Sequence, residues 1–289
     1  MNLRTDLALE ERENRNPKGP SRGVVINKKN IDNTVITRIE IKNQKAAEGL
    51  KKPVGRYITL ESEDFKLSDP ESIKKASYLL KSELLKLMKD LSFSSALIVG
   101  LGNRSITSDS LGPKVVAKTM VTRHIKNYMP GHLDSDILPV SAISPGVLGI
   151  TGIETNDIIG AVSQKLKPQL VILIDALASS SPGRLATTIQ ITDTGISPGS
   201  GVGNNRGEIS RYTLNTPVIA IGVPTVVDLL SIVRGGNPDT PDSSYEKDYF
   251  VTPKEIDRLI ENLSKIIANG INLSLHKNID LEYIESFIS

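Results

Sequence analysis

The chain has 289 residues, 38% of them hydrophobic and 24% charged, with a formal net charge of +2. That composition supports a sizeable core and excludes wholesale disorder, and the near-neutral balance argues against a nucleic-acid binder driven by counterion release. The absence of cysteine excludes disulfides, thiolate metal sites and a cysteine nucleophile.

Residues 1–22 read as an N-terminal arm. Charges of both signs between Arg4 and Arg22, with Pro17 and Pro20, suit a solvated, flexible end. No apolar h-region opens the chain and no apolar run reaches the length of a membrane span, so a soluble, intracellular protein without a membrane partner is expected. The segments GVVINK, TVITRIEI and GRYITLE make residues 23–62 β-rich and suit antiparallel strands. A helix is predicted from about Pro70 to Leu91, capped by Ser68 or Asp69, with Ile73, Ala76, Leu80, Leu84, Leu87 and Leu91 as its buried stripe.

The middle of the chain changes character. ALIVGLG (96–102), DILPV (136–140), LVILIDALA (170–178) and VIAIGVP (218–224) are short apolar runs of the kind that parallel strands show when both faces are covered. Helical patterns near Lys114–Lys126 and Asn156–Leu166 separate them. The alternation predicts an α/β fold: a mostly parallel central sheet flanked by helices, with an N-terminal β-rich excursion, all in one domain over residues 23–289. TPKEIDRLIENLSKIIANG (252–270) reads as a further helix, started by Thr252 and Pro253 and ended by Gly270, and DLEYIESFI as a short closing helix.

Ligands in an open parallel sheet bind beyond the carboxyl ends of the strands. Asp175 closes the run LVILID, and Asp109 lies in the loop after ALIVGLG. Each could simply cap the following helix. Together they form a pair of carboxylates able to divide general base and general acid work during attack of water on an acyl group. The glycine-rich loop TDTGISPGSGVGNNRGE (192–208) has five glycines and permits close backbone approach. Gly199, Ser200, Gly201 and Arg206 in it are candidate substrate contacts.

Other machinery is missing. GLGNRS places Ser105 where a dinucleotide fingerprint needs its third glycine, and GVGNNR places Arg206 there. Pro198 occupies the first glycine position of a serine nucleophile elbow around Ser200. His124, His132 and His276 form no metal-binding spacing and read as surface or packing residues, so no metal and no cofactor are expected.

The motifs GLGNRSITSDSLGP, SPGVLGITGIET, IDALAS, TTIQITDTGISPGSGVGNNR, GVPTVVD and FVTPKEIDRLIENLSKIIANGIN, in this order, resemble the germination protease (spore protease) family. The resemblance covers about residues 4–276. It implies an endopeptidase that starts the degradation of small acid-soluble spore proteins during germination. It also implies an inactive precursor that trims its own N-terminus, a homotetramer, and a location in the cytoplasm of the forespore or the spore core. The implied fold is similar to that of hydrogenase maturation proteases. The implied chemistry is aspartic-like, and the motif positions fall on Asp109 and Asp175. The chain departs from the family pattern at Ser108, where proline is common, and after IDALA, where an arginine is expected near Ser179–Ser181. Two other readings stay open: a hydrogenase-maturation-type metallopeptidase with a metal between the two acids, and a phosphate- or nucleotide-binding protein using its glycine loops.

The same resemblance gives the first residues a meaning. Family substrates are cut after the first glutamate of a motif similar to Thr-Glu-Phe/Ile-Ala-Ser-Glu, generalised by residue type to T-[ED]-[FIL]-A-x-E. Residues 5–10 read Thr5-Asp6-Leu7-Ala8-Leu9-Glu10 and match it position by position. The expectation is self-cleavage between Asp6 and Leu7, with residues 1–6 as the propeptide and a basic subsite, Arg206 among the candidates, facing the acid.

Overall fold

The computed structural model describes residues 5–15, 22–129, 131–199, 207–229, 232 and 249–288. Its centre is one nine-stranded sheet. Strands β1 (Val24–Ile31) and β2 (Thr34–Ile41) form a hairpin turned at Asp32, and β3 (Gly55–Glu61) pairs antiparallel with β2. β1 is the edge. It is mostly exposed and carries Lys28 and Lys29, charges that discourage edge-to-edge pairing.

The β-rich segment continues directly into the central sheet. β3 pairs antiparallel with β7 (Thr188–Thr192), and β7 pairs antiparallel with β8 (Val218–Asp228). From β8 onward the sheet is parallel, through β6 (Leu170–Ser179) and β4 (Ala96–Gly100) to β5 (Val140–Ile143). A two-residue strand, β9 (Phe250–Val251), pairs with the far end of β8. The parallel part is therefore four strands wide, and its strands fall on the four apolar runs. Those runs identify the strands covered on both faces, and they say nothing about the antiparallel strands joined beside them.

The alternation along the parallel strands sorts the core into two layers. Ile98, Ile172, Ile174, Ile219 and Ile221 face α3 (Pro70–Met88), α4 (Leu111–Val116) and the long C-terminal helix α9 (Ile256–Leu275). Leu97, Val99, Val171, Leu173 and Ala220 face the other way, toward α7 (Thr155–Leu166), which follows the single turn α6 (Leu148–Thr151), and toward α8 (Arg211–Leu214). The Asp69 carboxylate accepts from the Ser72 amide at 2.9 Å and starts α3, as its sequence predicts.

Three boundaries differ from expectation, each because tertiary contact overrides local signal. The helical pattern at 114–126 splits into α4 and α5 (Arg123–Tyr128), because buried Asn272 of α9 binds the chain between them. Its side chain accepts from Met120 N at 3.0 Å and donates to Lys118 O at 3.1 Å. The strand expected at 136–140 begins only at Val140. Pro139 has no N–H to give, although its carbonyl accepts from Ala96 N at 3.0 Å. α9 runs from Ile256 to Leu275 instead of 252–270. The Thr252 hydroxyl donates to Thr225 O at 2.8 Å and caps nothing, and Gly270 lies inside the helix. A Cβ at Gly270 would lie 2.7 Å from Leu80 Cδ2, so the glycine serves the close approach of α9 to α3. Among the described residues no helix is long and apolar enough to cross a membrane.

Candidate active site

β4 ends at Gly100, and the chain folds back sharply before α4. Gly102 has φ +107°, and a Cβ there would lie 2.1 Å from the Asp109 carbonyl oxygen, so the return requires glycine. A Cβ on Gly100 would meet the Gly112 carbonyl at 2.2 Å. The loop is thus fixed at both ends. Asp109 stands in a single 3₁₀ turn (Thr107–Asp109), and its carboxylate accepts from the Asn103 amide at 2.8 Å. No side-chain cap bond opens α4, so Asp109 does not serve as that helix's cap.

Asp175 lies within β6, because the strand continues to Ser179. Its neighbour Ile174 pairs with Gly100, the last residue of β4, so Asp175 is one position past the end of that strand. Asp175 is buried, pairs with Gly222 of β8, and accepts from the Ala176 amide at 2.9 Å. The early end of β4 opens a cavity of about 500 Å³ above the sheet, and Asp109, Asp175 and Asp6 all line it.

The N-terminal segment meets this cavity. Residues 5–10 are not a solvated end: Leu7 is fully buried, and Thr5, Ala8, Leu9 and Glu10 are buried as well. Asp6 N donates to Ala178 O at 3.0 Å, and Ala178 N donates to the Asp6 carboxylate at 2.9 Å. β6 shifts register between Leu177 and Ala178, at the place where it receives the segment. The Asp6 carbonyl accepts from Lys52 Nζ at 2.8 Å and from Gln190 Nε2 at 3.3 Å, while Gln190 Oε1 accepts from Ala8 N at 2.7 Å. Leu7 N donates to Thr5 Oγ1 at 3.0 Å.

From Ala8 the chain becomes α1 (Ala8–Arg15), whose Ala8 and Leu9 pack on Ile39, Ile41, Tyr57 and α2 (Gln44–Leu50). Glu10 closes the segment. Its carboxylate accepts from Ser179 Oγ at 2.6 Å and from Ser180 N and Oγ at 2.7 Å each, with Arg184 at 3.3 Å. Burial pushes the Glu10 carboxyl up, but hydrogen bonds from Ser179, Thr5 and Ser180 outweigh it and hold the pKa below the usual glutamate range. A second cavity, of about 310 Å³, lies against Asp6 and is lined by Lys52, Tyr57 and Gln190 among others. Asp6 lines both cavities and so lies between them.

The model of one protein family, germination protease, matches residues 3–237 and 243–288 of this chain. The chain belongs to the germination protease family. Germination proteases of known sequence align along essentially the whole molecule. That of Clostridium perfringens (strain SM101) is 43% identical, covering 100% of this chain and 99% of the relative. That of Caldanaerobacter subterraneus subsp. tengcongensis is 44% identical, with 95% and 94% covered. That of Bacillus cereus (strain G9842) is 37% identical, with 96% and 95% covered. Among solved structures, the chain is similar to a [NiFe] hydrogenase maturation protease HycI from Thermococcus kodakarensis KOD1, with TM-score 0.35, 18% identity and coverage of 64% of this chain and 96% of that one. Membership makes this an endopeptidase of spore germination acting on protein substrates.

As a germination protease, the chain brings most of its sequence-predicted residues to one place. Asp109, Asp175 and Asp6 share a cavity, and Gly199 lines it too, with Leu7 buried alongside. Ser200, Gly201 and Arg206 lie outside the described residues. Sequence reasoning missed Lys52, Gln190, Ser180 and Arg184. Lys52 sits in a link that reads as a plain surface turn, and Gln190 is one polar residue in an apolar strand. The one available signal was Glu10, an acid that must find partners if the segment is bound. Among the described residues no group of three His, Cys, Asp or Glu side chains is placed to hold a metal ion. His276 is a packing residue. Its Nδ1 accepts from Leu138 N at 3.1 Å, and burial, with Lys126 nearby, lowers its pKa to about 4.

Proposed function

We propose that this chain is a self-activating endopeptidase in which Asp109 and Asp175 work as a pair, first on its own Asp6–Leu7 bond. The observation that carries the reading is that Asp6 lines the same cavity as both carboxylates, while residues 5–10 are held like a bound substrate from Asp6 to Glu10. One carboxylate takes a proton from water as its oxygen attacks the Asp6 carbonyl carbon. The other acid, entering the step as a protonated carboxyl group, gives its proton to the Leu7 nitrogen as the C–N bond breaks. Asp6 leaves with a new carboxyl group and Leu7 with a new amine.

On the same reading, the protein substrates are small acid-soluble spore proteins cut in a T-[ED]-[FIL]-A-x-E sequence, in the forespore or spore core. The family's name supports the setting, and the match of residues 5–10 supports the motif. The reading also includes a homotetramer, and a single peptidase domain over residues 23–289 beyond the arm 1–22. The unbroken sheet from β1 to β5 supports the single domain.

The test is intact-mass measurement of the purified full chain over time at mildly acid pH. The expected result is loss of residues 1–6, absent in Asp109→Asn. A full-length chain that stays intact yet cleaves spore-protein peptides, or a first cut at another bond, overturns the proposal.

A further inference from the structure

The hydrogen bonds around the Asp6 carbonyl go beyond holding a segment in place. Two donors from different elements converge on that one oxygen: Lys52 Nζ at 2.8 Å and Gln190 Nε2 at 3.3 Å. Neither is loosely placed. Lys51 ends α2 in the left-handed conformation, Lys52 N closes back on Ala47 O at 3.1 Å, and Pro53 follows. Gln190 is buried in β7, between Thr59 of β3 and Gly222 of β8. The Gln190 amide also grips the far side of the same bond, accepting from Ala8 N at 2.7 Å. The carboxylate cavity and a second cavity both abut Asp6, and the two donors to its carbonyl, Lys52 and Gln190, line the second.

We propose that Lys52 and Gln190 are catalytic residues of this protease, forming the site that stabilises the oxyanion as water adds to the Asp6 carbonyl. The inference rests on the proposed cleavage of Asp6–Leu7. As the carbon becomes tetrahedral, the oxygen gains negative charge, and prepositioned donors in a desolvated site stabilise that charge more than they stabilise the neutral carbonyl. The charge returns to a carbonyl when the C–N bond breaks. The same pair would serve the matching bond of a protein substrate once residues 1–6 have left.

The test uses the full chain and two readings: the rate of loss of residues 1–6 by intact mass, and the hydrogen-exchange protection of the Asp6 and Ala8 amides as a measure of docking. Gln190→Glu keeps an oxygen for Ala8 N–H but removes the donor to the carbonyl. Lys52→Met keeps length but removes the cation, and Lys52→Arg restores one. Losing one such donor typically costs about 10²–10³ in rate. The expected result is a loss of that size in Gln190→Glu and Lys52→Met with amide protection retained, and partial recovery in Lys52→Arg. Normal rates in both variants, or a rate loss matched by an equal loss of protection, overturn the oxyanion assignment while leaving the carboxylate pair standing. A wild-type chain that never cuts at Asp6–Leu7, or an Asp109→Asn chain that does, overturns the pair and the oxyanion site with it.

Discussion

Glu10 is the anchor of the docked N-terminal segment, and its removal has a calculable effect. In Glu10→Gln the side chain keeps its shape and loses its charge. The three hydrogen bonds from Ser179 and Ser180 then change from charge-assisted to neutral, and the new amide NH₂ has to face groups that are themselves donors. Hydrogen bonds to charged groups contribute about 1.5–3 kcal/mol and neutral ones about 0.5–1.5, so three bonds lose roughly 3 kcal/mol in all. The carboxylate no longer has to be desolvated, which offsets part of that loss. The net is about 1–3 kcal/mol, or roughly a 5–150-fold weaker docking equilibrium. The assay is hydrogen exchange at the Asp6 and Ala8 amides in an Asp109→Asn background, which keeps the segment attached. The folded-state pKa of Glu10 is depressed, so its contribution is present above the ordinary glutamate pKa and is lost as pH falls through the lower folded value. Docking should therefore weaken in acid in the parent and show no such step in Glu10→Gln. Protection equal in the two proteins within about twofold at neutral pH would refute the anchoring argument.

Asp109→Asn and Asp175→Asn should each cost about 10²–10⁴ in cleavage rate, with the double variant little worse than either, measured on the same peptide with folding checked by circular dichroism. Cleavage should persist in EDTA; complete loss restored by zinc or nickel would move the chemistry to a metal-assisted reaction. His276, buried and neutral with a pKa near 4, should make the fold less stable as pH falls from about 6.5 to about 4, because the unfolded chain takes up the proton first. The loss over that range is about 3 kcal/mol. Denaturant midpoints should show it, and His276→Leu should flatten it at the cost of a lower plateau, since Leu138 N then lacks its acceptor.

The strands of the parallel half were legible because each is a run of apolar residues long enough to be buried on both faces, and the acids that interrupt or follow those runs marked the cavity. That Asp175 comes to lie one position past the end of the neighbouring strand was not legible. It depends on where β4 stops, and Gly100 stops it by its approach to Gly112, a contact no local pattern encodes. Gly270 misled for a related reason. Glycine ends helices by its backbone freedom and also lets helices touch, and only the presence of Leu80 decides which. Lys52 and Gln190 were invisible because each acts through a partner far along the chain, at Asp6, and one residue type alone does not announce a long-range contact. The likeness of residues 5–10 to a substrate sequence, by contrast, was readable as a string, whereas the burial of Thr5 and of Leu7 to Glu10 was not.

The pairing of β3 with β7 sets a clock on the ribosome. β3 ends at Glu61 and β7 begins at Thr188, so 126 residues separate two strands that lie side by side. At elongation rates of about 5–20 residues per second, the first three strands wait roughly 6–25 seconds for their neighbour to be synthesised. Lys52 is made early, but Asp175, Ser180 and Gln190 are made late, and the groove that grips residues 5–10 is complete only after β7 has emerged. Residues 5–10 are thus made long before the late partners that hold them. On the proposed self-cleavage, this order of synthesis delays the earliest possible cut in cis until most of the enzyme exists.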